Sequence, residues 1–139
     1  MAIVNATDVV LKLDFDSSAA SDYDKLLHAT SANLSISREM RDSTTKDSSG
    51  FSTSLPGLKS FEISGDGFVD VDTTADAHEV PELITEMISA ANPEVAIQFS
   101  VGSKNYTGKG FISSINIDAG VEENATYSIT ITGSGALTV

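Results

Sequence analysis

The sequence of 139 residues contains no cysteine and no tryptophan, and only 6% of its residues are aromatic. The absence of cysteine excludes disulfides, zinc–thiolate sites and thiol catalysis. The two histidines, His28 and His78, lie outside any recognisable nucleophile–base motif, so Ser–His catalysis is not expected. No catalytic motif is found, so neither enzyme activity nor a bound cofactor is expected.

Basic residues are also scarce: 8 Lys and Arg face 20 Asp and Glu, a formal net charge of -12. This balance argues against a protein that wraps nucleic acid or docks on an anionic membrane. No segment approaches the roughly 20 apolar residues of a membrane-spanning helix. The first residues lack the positive region and apolar run of a secretory signal, so no such signal is expected. Together with the acidic charge and the lack of an apolar span, this predicts no membrane partner.

Alternation of apolar and polar residues dominates the rest of the chain. Ser and Thr make up 33 of the 139 residues, which favours strands with one polar face. The period of two predicts half-buried strands. They are expected at residues 9–15, 32–37, 58–65, 95–101, 106–117 and 125–132.

One segment has helical spacing instead, about residues 80–91. Pro81 suits a first helical turn, and Asn92-Pro93 ends the pattern. The apolar side chains that should pack the helix against the strands are Leu83, Ile84, Met87 and Ile88. The predicted fold is mainly β, a β-sandwich or barrel with one α-helix, in a single domain over residues 1–139.

Residues 38–57 interrupt the alternation and are predicted to form a long loop. About 20 residues exceed an ordinary hairpin turn, and loops of this length in compact domains are usually functional or disordered. The segment contains Arg38, Arg41 and Lys46, and Lys59 follows directly. It is a candidate interaction segment.

Two motif-like stretches have ordinary interpretations. Residues 102–110 superficially resemble a P-loop, but the glycine spacing is wrong and a strand follows, so a β-hairpin is favoured. Asp66, Asp70, Asp72 and Asp76 suggest calcium, yet an EF-hand would need Gly at position 75 and Glu at position 81. An acidic solvated face fits better, and a calcium site of another kind stays open.

The acidic residues are unevenly distributed. No Lys or Arg occurs between Lys59 and Lys104, and nine acidic residues lie between them. They are Glu62, Asp66, Asp70, Asp72, Asp76, Glu79, Glu82, Glu86 and Glu94. Such an uncompensated field either keeps the protein soluble or lines a surface that repels polyanions.

Several stretches taken in order resemble the major tail tube proteins of long-tailed bacteriophages. The stretches that carry the resemblance are residues 5–12, 44–51, 55–61, 64–67, 108–115, 120–127 and 133–137. The order of strands, long loop, strand, helix and strands also agrees. The resemblance therefore covers nearly the whole chain.

The resemblance implies a structural virion protein that forms hexameric rings, which stack into a hollow tail tube. Strands of six subunits would line a lumen through which DNA passes without specific binding, with the helix outside. The N-terminal arm (1–7) and the loop 38–57 would clamp adjacent rings. Candidate inter-ring contacts are Arg38, Arg41, Lys46, Phe51 and Lys59, and candidate lumen or interface acids are Glu62, Asp66, Asp70 and Asp72.

The implied partners are further copies of the chain, a tape measure protein, and tail terminator and tip proteins. The implied location is the virion tail, after assembly in the host cytoplasm. Two alternatives stay open: a soluble β-sandwich binding module of carbohydrate-binding or adhesin type, and the tube protein of a contractile tail-like injection particle. The binding module predicts exposed aromatic platforms or a calcium cage.

Overall fold

A computed structural model describes residues 3–14, 24–26, 29–69, 77–78, 80–89 and 94–139. Within these ranges the chain forms eight strands and one α-helix. They are β1 (Val9–Asp14), β2 (Asp24–Leu26), β3 (Ala29–Asp42), β4 (Ser54–Phe68), β5 (Ala77–His78), α1 (Val80–Ser89), β6 (Glu94–Val101), β7 (Lys104–Asp118) and β8 (Thr126–Thr138). The predicted mainly β fold with one helix is confirmed. No helix in the described ranges is long and apolar enough to cross a membrane.

The strands belong to one sheet in the order β3-β4-β8-β7-β6-β1-β2-β5. Neighbouring strands are antiparallel except β2 and β5, which are parallel. The sheet curls strongly, since three strands separate β1 from β4 in this order, yet the two strands meet. A Cβ built on Gly65 of β4 would lie 3.8 Å from Cδ2 of Leu11 in β1.

The core fills the concave side of the curled sheet. Directly opposite residues of neighbouring strands share a face, so each alternating strand contributes every second side chain to the interior. The register Leu34–Ile63–Ile131 across β3, β4 and β8 illustrates this. The buried hydrophobic cluster comprises Leu11, Leu13, Phe61, Ile63, Val80, Leu83, Val95, Ile97, Phe99, Ile112, Tyr127, Ile129 and Ile131.

Helix α1 packs on this core through its N-terminal half. Val80 and Leu83 are buried, and Ile84 is half-buried against the cluster. The predicted packing fails for Met87 and Ile88, which are 44% and 77% exposed, because the contact with the core does not extend to the last helical turn. The predicted helix end at residue 91 lies outside the described residues.

The predicted loop at 38–57 is much shorter in the structure. β3 continues to Asp42 and β4 begins at Ser54, so Arg38 pairs with Lys59 and Arg41 with Leu55 in one long hairpin. Alternation is missing here because side chains on both faces of this part of the hairpin are exposed. Only residues 43–53, with a 3-10 turn at Lys46–Ser48, connect the two strands.

Candidate assembly surfaces

The convex side of strands β3, β4 and β8 forms a continuous polar surface, here called the polar sheet face. Its members alternate with the core residues and lie opposite one another across the strands. They are Ser31, Asn33, Ser35, Ser37, Ser60, Glu62, Ser64, Asp66, Ser128, Thr130 and Thr132. The face therefore presents short hydroxyl side chains and two carboxylates, with no basic group.

Hydrogen bonds across the strands order this surface. Ser31 Oγ donates to Asp66 Oδ2 at 3.0 Å, and the hydroxyls of Ser37 and Ser60 lie 2.9 Å apart. Short hydroxyl side chains lose little conformational entropy when held in such positions. The result is a hydrophilic surface on which the carboxylate of Asp66 is held in place.

Two of the four predicted acidic residues are thereby brought onto one surface. Glu62 lies opposite Thr132, and Asp66 lies between Ser31 and Ser128. Both carboxylates are exposed. The other two candidates, Asp70 and Asp72, lie outside the described residues.

The outer edge of β3 is one open border of the sheet. Among the described residues, β3 has only β4 as a neighbour in the strand order. Residues 29–37 of this edge contain neither a charged residue nor proline. Charges and proline are the usual means by which exposed edges avoid pairing with other chains, so this edge is suited to accept a further strand.

A second open border lies on β7. Strand β6 pairs with β7 only as far as Phe111, whereas β8 pairs with β7 to Asp118. Within the described residues, Ile112–Asp118 therefore has a hydrogen-bonded neighbour on one side alone. Both borders belong to the same four-stranded part of the sheet, which runs β3-β4-β8-β7.

The hairpin formed by residues 38–59, here called the projecting hairpin, separates from the rest of the sheet. Pairing of β4 with β8 stops at Glu62, so from Ser60 to Ser54 the strand pairs with β3 alone. The six steps from Ser60 to Ser54, at about 3.3 Å each, give this separate part of the hairpin a length of roughly 20 Å before the connecting loop. The predicted inter-ring residues Arg38, Arg41, Lys46, Phe51 and Lys59 all lie on this hairpin.

The projecting hairpin differs in charge from the rest of the chain. It carries four basic residues and three acidic ones, a net charge of +1 on a chain of -12. Arg38 lies directly opposite Lys59, an arrangement that is unfavourable in an isolated hairpin. An acidic partner surface would relieve this repulsion.

Apolar side chains are exposed on the same hairpin. Phe51 in the connecting loop is 77% exposed, and Met40, Leu55 and Leu58 are also exposed. Four large apolar side chains on a slender projection are unusual for a free surface and mark it as an interaction site.

Hydrogen bonds hold the tip of the projecting hairpin in one conformation. Asp42 accepts from the Thr44 hydroxyl and, at 2.9 Å, from the Thr44 backbone N–H. These bonds favour the charged carboxylate and lower the pKa of Asp42. The Ser43 and Phe51 N–H groups donate to Thr53 and Ser48 carbonyls at 2.9 and 3.0 Å, so the tip has a defined shape.

The described part of the predicted N-terminal arm rests near the β6–β7 turn. The Gly102 N–H donates to the Asp8 carbonyl at 3.1 Å, and a Cβ on Gly102 would lie 3.6 Å from Val4 Cγ2. Ile3 is exposed. Residues 1 and 2 lie outside the described residues, and a clamping role for the arm stays a prediction.

Comparison with known proteins identifies the family. The chain matches the phage tail tube protein family over residues 3–139. It therefore belongs to this family, and it is a structural tail tube protein. No curated protein sequence matches it.

Solved structures share the fold. A chain in the tail of an empty gene transfer agent particle, refined with C6 symmetry, is 21% identical with a TM-score of 0.81, and 98% of each chain is covered. The SPP1 tail tube protein is 12% identical with a TM-score of 0.70, covering 96% of this chain and 77% of the other. A chain of the anti-feeding prophage baseplate is 9% identical with a TM-score of 0.66, covering 99% and 95%.

Proposed function

We propose that six copies of this chain close into a ring and that the rings stack into the hollow tube through which DNA leaves the virion. The observation that carries the proposal is the pair of open borders on one four-stranded sheet. The symmetry of six is taken from the gene transfer agent tail, which was refined with C6 symmetry and shares the fold.

Strand direction makes this closure possible. Within β3-β4-β8-β7 each strand is antiparallel to the next, so β3 and β7 run in opposite directions. When β7 of one copy meets β3 of the next, the two edges are therefore antiparallel as well. The same joint repeats around a ring, so that both borders of the four-stranded sheet are paired in every copy.

Burial supports one choice for the face that lines the channel. The concave side of the sheet is filled by the core, so in the proposed barrel the polar sheet face is the side that would line the lumen. Barrels of about 16–18 strands already leave an aqueous channel, and six copies supply more strands than that. Glu62 and Asp66 would then form rings of negative charge along the channel.

Such a lining suits the passage of DNA. Proteins that hold DNA neutralise its phosphates with Lys and Arg, and the polar sheet face has neither. Fixed carboxylates repel the backbone, and short hydroxyls offer no large side chain that could obstruct it. The proposed conduit has no catalytic activity and makes no specific contact with DNA.

Further partners follow from the same proposal. A tube has two ends and a defined length, so tip, terminator and tape measure proteins would contact its rings. The protein would act in the virion tail after assembly in the host cytoplasm. The projecting hairpin, which separates from the rest of the sheet, would join adjacent rings through Arg38, Arg41, Lys46, Phe51 and Lys59.

Cysteine cross-linking tests the ring joint directly, because the natural chain has no cysteine. Asn33 on β3 and Ser114 on β7 lie in the same row across the sheet, because Asn33 is opposite Ser64, Ser64 is opposite Thr130, and Thr130 is opposite Ser114. Three double variants combine Asn33→Cys with Ser114→Cys, Asn116→Cys or Asp118→Cys. Three are needed because adjacent strands of a barrel can be displaced along each other, which changes the β7 residue opposite Asn33 in steps of two. For at least one of these variants, oxidation should produce disulfide-linked oligomers of increasing size up to a hexamer. A reducing agent should convert these oligomers back to monomers.

A matched control pairs Asn33→Cys with Glu86→Cys on the helix, which belongs to neither border. This control should stay monomeric after oxidation. If all three edge pairs also stay monomeric at concentrations where the protein is assembled, the proposed joint is wrong.

A further inference from the structure

We propose that the β7–β8 turn, residues 119–125, is the surface that receives the projecting hairpin of a second copy of this chain in the next ring. The inference rests on the proposed function, because it names the partner surface of the ring-to-ring contact. It is carried by the placement of two complementary surfaces at opposite ends of one sheet.

The topology fixes that placement. The projecting hairpin continues from the end of β4 where Glu62 is paired, and the other end of β4, Phe68, lies opposite Thr126. Thr126 begins β8 and is paired with Asp118, the last residue of β7. The β7–β8 turn and the projecting hairpin therefore lie at opposite ends of the four-stranded sheet.

The turn end carries exposed apolar side chains that match those of the hairpin. Val121 at the turn is 92% exposed, and Ile117 and Phe68 beside it are 47% and 45% exposed. These are counterparts for Phe51 and Leu55 on the projecting hairpin, which are 77% and 58% exposed. Burial of the two sets against each other would remove both from water.

The charges of the two surfaces are opposite. The segment 118–125 contains Asp118, Glu122 and Glu123 and no basic residue. The projecting hairpin holds half of the eight basic residues of the chain. Contact between these ends would bring Arg41, opposite Leu55, and Lys46 in the connecting loop close to these carboxylates. Electrostatic complementarity of this kind fixes partner and register.

A surface at one end that fits a different surface at the other end generates an open stack. Such heterologous contacts do not close when repeated along an axis, so each added ring presents a fresh hairpin end or turn end. Edge pairing within a ring and end-to-end contact between rings are thus separate interactions. They can be lost separately by mutation.

Charge reversal at both surfaces tests the contact. The variants are Glu122→Lys with Glu123→Lys, Arg41→Glu with Lys46→Glu, and the combination of all four. Negative-stain microscopy and sedimentation of the purified full chain would measure rings and tubes. Each double variant should form single rings and at least tenfold fewer tubes, and the combination should restore tubes because the pairing of charges is exchanged.

A matched control is Glu82→Lys with Glu86→Lys on α1, which makes the same change in net charge. It should form tubes as the natural chain does. Tubes from Glu122→Lys/Glu123→Lys at the natural level would overturn the inference. Failure of the four-fold combination to stack, when both double variants form rings, would also overturn it.

The test separates this inference from the proposed function. If the natural chain forms neither rings nor tubes, the proposed function itself fails, and the hairpin contact fails with it. If rings and tubes form but the turn variants stack normally, the proposed function stands and the receiving surface lies elsewhere.

Discussion

The ring of Phe61 occupies the space that a side chain at residue 133 would need. A Cβ built on Gly133 would lie 2.5 Å from both Cε1 and Cζ of Phe61, and one on Gly108 would lie 3.0 Å from Cζ. Phe61 is buried, and it directly precedes Glu62, where pairing of β4 with β8 ends. Two glycines therefore make room for the aromatic side chain that fixes the root of the projecting hairpin.

Gly133→Ala should destabilise the protein, because the new methyl group forces the Phe61 ring out of its place. Overpacking of this kind costs about 1–3 kcal/mol. Urea denaturation would measure the loss. Combined with Phe61→Leu, which removes the ring atoms in the way, Gly133→Ala should cost clearly less than it does alone, and additive costs would refute the contact.

Reversal of the lumen charges should make the tube retain DNA. Glu62→Lys with Asp66→Lys changes two exposed positions of the polar sheet face, so rings and tubes should still form. Co-sedimentation with linear duplex DNA at low salt should pellet DNA with variant tubes and not with natural ones. Retention should fall steeply as salt rises, because it depends on phosphate contacts. Equal retention by both proteins would place these residues elsewhere.

Phe51→Ser should weaken stacking and leave ring formation intact. Phe51 is 77% exposed at the tip of the projecting hairpin, so its loss removes little from the stability of one subunit. Burial of a Phe side chain at a ring contact contributes about 1.5–3 kcal/mol, and six contacts per ring multiply the effect. Tube length in micrographs should drop sharply. Ile88→Ser, an equally exposed apolar residue on α1, is the control and should leave tube length unchanged.

Tyr127 should make the fold sensitive to alkali. Burial, and secondarily the nearby negative charge of Asp66, raise the pKa of Tyr127 from 10.0 to about 12. The folded chain therefore keeps this proton through a pH range in which the unfolded chain releases it, and stability falls as pH rises from about 10 to 12. The slope is at most about 1.4 kcal/mol per pH unit.

Comparison with Tyr127→Phe isolates this contribution from the titration of lysines in the same range. The variant should lose the part of the alkaline slope that belongs to the phenol. Identical slopes in urea titrations of the two proteins at pH 9–12 would show that Tyr127 does not titrate in this way.

Local patterns predicted the fold well where one face of a strand is buried. In β4 from Phe61 to Phe68 and in β8 from Thr126 to Thr132, buried residues alternate with more exposed ones, as the period of two predicts. The apolar alternation of Glu94–Val101 also predicted a strand, although both faces of that strand are largely buried. The projecting hairpin was predicted as a loop because neither of its faces is covered, so no hydrophobic contrast marks residues 38–42 or 54–57. Ile88 fits the apolar spacing of the helix, yet the sequence does not indicate at which turn the helix loses contact with the core.

The surfaces were predictable in part. The absence of basic residues between Lys59 and Lys104 indicated an acidic surface, and Glu62 and Asp66 do share one. The open borders of β3 and β7 were not predictable, because an edge is defined by the strand that is missing beside it. Nothing in the sequence singles out Val121 and Glu122, because their position at the other end of the sheet from the hairpin follows only from strand order.

Negative-stain electron microscopy of the purified protein at high concentration tests the central claim most directly. The account predicts rings with sixfold symmetry and an open centre, which join into hollow tubes as concentration rises. A protein that stays monomeric under every condition of concentration and salt would contradict it and would favour a soluble binding module instead.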